Sequence, residues 1–162
     1  MKYTQGKEGR IFVVRLEDGE VLHEVLEEFA AERRITGAVV WAVGAADQGS
    51  KLVVGPKDKN ARPIDPFEHG LEDVHEFAGV GTIFPNEDGK PMLHMHAACG
   101  RKGATATGCV RRGVKVWQTM EVVVQEIVGV QAVREIDSSL GFELLRPRMP
   151  KMTDLTMGQR PR

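Results

Sequence analysis

Residues 74–128, VHEFAGVGTIFPNEDGKPMLHMHAACGRKGATATGCVRRGVKVWQTMEVVVQEIV, decide how this chain folds. The apolar runs follow one another with no space for helices between them. Residues 74–84 read as a strand, and Pro85-Asn86-Glu87-Asp88-Gly89 as a tight turn. Residues 92–98 form the next strand, Gly100-Arg101-Lys102-Gly103 turns it, and residues 104–110 return. Arg112-Gly113 turns again, and residues 114–128 make the longest apolar strand. Adjacent strands joined by short turns pair antiparallel, whereas a parallel winding needs crossovers. The expected class is α+β with a central, mostly antiparallel sheet.

Upstream, residues 10–16 (RIFVVRL) read as a strand of branched residues, broken by Asp18-Gly19. Val21, Leu22, Val25, Leu26, Phe29 and Ala30 then recur at helical spacing, so residues 20–34 form an amphipathic helix with Asp18 as its expected cap. Residues 36–46 are nearly all apolar, which fits a strand covered on both faces, and residues 50–54 make a short return strand. Residues 55–70, with Pro56, Pro63 and Pro66, read as a surface connection. Residues 142–145 are the last strand candidate.

The 162 residues suit one domain. With 41% hydrophobic residues a sizeable core is possible, and 22 Lys plus Arg against 23 Asp plus Glu exclude a strongly basic nucleic-acid binder or an acidic disordered chain. Two cysteines, Cys99 and Cys109, make no disulfide scaffold. No apolar run approaches the ~18 residues of a membrane span and MKYTQGKEGR lacks a signal-peptide core, so a soluble cytoplasmic protein is expected.

Chemistry concentrates in Pro91-Met92-Leu93-His94-Met95-His96. Residues two apart on a strand share a face, so His94 and His96 project side by side and can chelate one divalent ion such as zinc. A hairpin turning around Lys102 puts His96 opposite Cys109, whose sulfur would complete a His-His-Cys set with one position left open. The same residues also fit a polar strand face and an ordinary small buried cysteine, and a slip of one residue would turn Cys109 away.

The chain resembles the PPC (plant and prokaryote conserved) domain, whose stand-alone prokaryotic members often carry a provisional DNA-binding label. The resemblance is carried by Arg10-Ile11-Phe12-Val13-Val14-Arg15-Leu16 with Asp18-Gly19-Glu20, and by Thr36 to Ala45 (TGAVVWAVGA). It continues through His75-Glu76-Phe77-Ala78-Gly79-Val80-Gly81-Thr82-Ile83, the His-x-His strand, and Thr119-Met120-Glu121-Val122-Val123-Val124. It spans about residues 8–146 and leaves residues 147–162 as a basic, Pro/Met-rich tail. It implies a sheet of about seven strands flanked by helices, a homotrimer, and in some members a metal held by His-x-His and a third His in Gly-Gly-His-Leu. Here that stretch reads Thr107-Gly108-Cys109-Val110, with cysteine in place of the family histidine. A more distant fold resemblance, to the zinc enzyme acetolactate decarboxylase, implies a similar three-histidine arrangement.

Three functions are compatible with this reading. The first is a trimeric metal-binding module, in which His94, His96 and Cys109 hold zinc or another divalent transition metal within reach of a small ligand. The second is a metal-dependent lyase or hydrolase for a small carbonyl acid, with Glu76 or Glu121 moving the proton. Glu76 also fits an exposed strand-edge acid. The third is a DNA-associated regulatory protein without chemistry. Strong DNA binding is not expected at a net charge of -1, and the basic residues from Arg146 onward (Arg146, Arg148, Lys151, Arg160, Arg162) would give weak, salt-sensitive contact. That tail is expected to be mobile or laid on a neighbouring subunit. His23 is expected in solvent, His69 carries no role, and His75 faces the opposite way from Glu76, so the two cannot both point at one ion. Residues 114–128 would be an aggregation-prone edge if left bare, which favours burial between subunits.

Overall fold

The structure, a computed structural model, describes residues 1–148. Eight strands form one sheet in the order β1-β8-β2-β5-β6-β7-β3-β4, every pair antiparallel. They are β1 (Lys7–Glu17), β2 (Ala38–Ala46), β3 (Lys51–Pro56), β4 (Pro66–Gly70), β5 (His75–Pro85), β6 (Pro91–Arg101), β7 (Ala104–Cys109) and β8 (Val116–Val128). A separate hairpin joins β9 (Ala132–Asp137) to β10 (Phe142–Pro147). The described residues hold one helix, α1 (Leu22–Glu32). The antiparallel architecture is as expected, but the sheet has eight strands rather than seven, and one helix flanks it rather than several. The added strand β4 arises in the proline-bearing connection, where His69 pairs opposite Leu52.

The helix lies over one face of the sheet. It buries Leu22, Leu26 and Ala30 against Leu16, Val40, Met95, Val122 and Val124, and Phe29 meets Phe12 edge to face at 5.2 Å. Asp18 does not cap it. Val21 occupies that position without a side-chain cap, the Leu22 N–H donates to the Val114 carbonyl, and Asp18 accepts from the Gln118 N–H. No helix among the described residues is long and apolar enough to cross a membrane.

The opposite face is open over its middle, and the β9–β10 hairpin covers it near Thr82. The expectation that residues 36–46 are covered on both faces is not met within one chain, because Trp41 and Val43 are 44% and 58% exposed. The ladder continues that apolar row across four strands. Val13 pairs with Val123, Val123 with Trp41, and Trp41 with Val80. The next partners along the same line are His96 and then Cys109.

Candidate metal centre

Strand alternation and a tight turn bring the three donors together. On β6, Leu93, Met95, Ala97 and Cys99 point into the core, leaving His94 and His96 on the other face. Lys102 and Gly103 both have positive φ, at 50° and 81°, the conformation of a two-residue hairpin loop whose twist suits the flanking strands. That loop sets Arg101 opposite Ala104 and, five pairs further, His96 opposite Cys109. Gly108 secures the other side. A Cβ there would stand 2.6 Å from the Val53 carbonyl oxygen, so glycine lets β3 close against β7 and cover Cys109.

One ligand atom from each of His94, His96 and Cys109 lies within 4.8 Å of the others. The imidazoles stand 5.1 Å apart, nearly perpendicular. Borderline-soft nitrogen and sulfur donors suit zinc and similar divalent ions. Burial lowers the His94 pKa, helped by the positive charges of Arg134 and Arg111, and so favours the neutral ring that a metal needs. Arg111 Nε donates to Cys109 Sγ at 3.2 Å, placing a cation beside the sulfur. Cys99 instead faces the core, and burial pushes its thiol up to about 11.

The two acids considered for proton transfer stand apart from this centre. Glu76 lies opposite Gly100, four positions along from the Val80–His96 pair, or ~13 Å away. Glu121 is on β8, with β2 and β5 between it and β6, ~14 Å across the ladder. Other residues border this centre. The β6–β7 ladder ends at His96 and Cys109, leaving the outer edge of β6 before His96 without a strand partner. Buried Glu27 covers it by accepting the Leu93 N–H at 2.9 Å. Past that edge His94 borders a cavity shared with His23, Arg111 and Arg134. His23 is thus half-buried rather than in solvent. The signal for Arg134 was concealed, because on β9 this arginine takes the inward position while Ile136 is 66% exposed.

Residues 3–128 match the model of the Plants and Prokaryotes Conserved (PCC, or PPC) domain. The chain belongs to this family. Similar solved structures include a PPC protein from Pyrococcus horikoshii, 20% identical with a TM-score of 0.74, covering 88% of this chain and 96% of that one. A protein from Archaeoglobus fulgidus described as metal-containing is 28% identical with a TM-score of 0.75, over 89% and 98% of the two chains. A protein from Bacteroides thetaiotaomicron, provisionally labelled DNA-binding, is 17% identical with a TM-score of 0.69, over 87% and 96%. No curated protein matches the sequence. Beyond the matched residues, the first basic residues assigned to the tail are held by the β9–β10 hairpin. Arg146 pairs with Asp137 at 3.1 Å and Arg148 with Glu135 at 2.9 Å. Lys151, Arg160 and Arg162, and so most of the expected tail, lie outside the described residues.

Proposed function

We propose that this PCC-domain protein is a homotrimeric metal-binding module, with zinc or a similar divalent ion held by His94, His96 and Cys109. The observation that carries the reading is the approach of three donor atoms to within 4.8 Å from two neighbouring strands. The metal-containing description of the Archaeoglobus fulgidus protein supports it. A metal so held would polarise an oxygen of a small ligand at the open position. The chain's own contribution is to fix the donors, seat Arg111 by the sulfur and keep His94 neutral.

The open sheet face supports the oligomeric part of this reading. Val13, Trp41, Val43 and Val80 are between 44% and 82% exposed and contiguous through the ladder. An apolar row of this kind calls for cover, and a second and third copy would bring it up to the edge of the metal centre. Elemental analysis of protein purified without added metal, together with light scattering, tests both parts. About one metal per chain is expected, with loss in the His94→Ala/His96→Ala variant. Full metal content in that variant overturns the assignment, and a monomer in solution overturns the trimer.

A further inference from the structure

Where β7 ends, the edge of β6 opens into a cavity of about 260 Å³. The described residues contain two buried side-chain polar atoms with no hydrogen-bond partner, His23 Nδ1 and Arg134 Nε. Both belong to residues lining this cavity. Arg134 is 5% exposed. Its hydrogen bonds among the described residues run from Nη2 to the hydroxyl and carbonyl of Thr82, at 3.0 and 3.4 Å, both neutral acceptors. A buried guanidinium without a paired anion is costly, and such groups are kept where something arrives to pair with them.

Charge and shape narrow the occupant. Arg111 and Lys90 add positive charge to the walls, while Glu27 and Glu143 contribute two carboxylates. Three cations against two anions in the lining favour an anion, and the two glutamates favour a monoanion over a dianion by repulsion. The planar guanidinium fork matches a carboxylate, whose two oxygens it can take together. We propose that this cavity binds a small monocarboxylate, gripped by Arg134, with its far end directed toward His94. The far end rests on the metal reading above, whereas the anion grip stands on Arg134 alone.

Calorimetric titration of the full-length, zinc-loaded protein tests this, with pyruvate as the probe and methyl pyruvate and inorganic phosphate as controls. Pyruvate should bind about tenfold or more tightly than either control. Arg134→Gln should weaken pyruvate about tenfold or more, and Arg134→Lys less. Zinc content in the same samples should not change. Equal binding of pyruvate and its ester overturns the proposal, as does full pyruvate affinity in folded Arg134→Gln protein. Should that variant fail to fold, the comparison of acid with ester on the unaltered protein decides. Zinc bound with no uptake of pyruvate refutes the anion site alone. Pyruvate taken up by protein that holds no zinc supports the anion site and refutes the metal centre.

Discussion

Replacing Glu27 separates the two roles its carboxylate plays. Oε1 accepts the buried Leu93 N–H at 2.9 Å, and Oε2 sits 3.9 Å from Lys90 Nζ. The second contact is weak, because Lys90 is 66% exposed and surface pairs contribute about 0–1 kcal/mol. The first is not. Glu27→Ala leaves a backbone donor buried and unpaired on the bare edge of β6, which costs about 1–3 kcal/mol. At this chain length each kcal/mol shifts Tm by about 2–4 °C, so a fall of roughly 2–12 °C is expected. Glu27→Gln keeps an oxygen in place and forfeits only the charge assistance, about 1 kcal/mol. Lys90→Ala should stay within about 0.5 kcal/mol of the unaltered protein. Thermal melts rank the three variants, and hydrogen exchange at the Leu93 amide reports the bond directly. Equal melting of the alanine and glutamine variants, or unchanged Leu93 protection in Glu27→Ala, would refute the claim that this side chain closes the strand edge.

Other perturbations probe the remaining parts. Gly108→Ala forces a Cβ to 2.6 Å from the Val53 carbonyl, so β3 must withdraw; a loss of about 1–3 kcal/mol and faster thiol labelling of Cys109 are expected. Val80→Asp places a charge on the proposed subunit contact and should shift light scattering toward monomer, leaving the circular dichroism spectrum intact. Glu126 has a pKa held down by the Arg10 guanidinium, which bonds both of its carboxylate oxygens. Because the folded value lies below the unfolded one, this pair stabilises above the usual carboxylate range. That stability is lost as pH falls through the depressed value. Melting temperatures followed from about pH 7 to about pH 3 should fall less steeply in Glu126→Gln. An identical slope would show the pair contributes nothing.

The hairpin register was legible because local rules set it. Lys102-Gly103 accepts the left-handed conformation of a two-residue loop, and strand alternation does the rest, placing His96 opposite Cys109 with His94 on the same face. The strands of residues 74–128 were legible for the same reason, since turns of Pro, Asn, Asp and Gly punctuate apolar runs. Two strands escaped notice. On β4 most positions are exposed and Pro66 begins the strand, so no buried period shows. On β9 Arg134 is inside and Ile136 outside, the reverse of an ordinary strand.

The amino-acid sequence by itself thus determined which donors share a strand face, because turn chemistry and a two-residue period act over a few neighbouring positions. Only the tertiary structure decided what surrounds them. Glu27, Arg111 and Arg134 come to surround His94 because β7 stops at Cys109, α1 packs against β6, and β9 packs against β5. Where one strand ends against another depends on the packing of the whole sheet, and no local pattern encodes it.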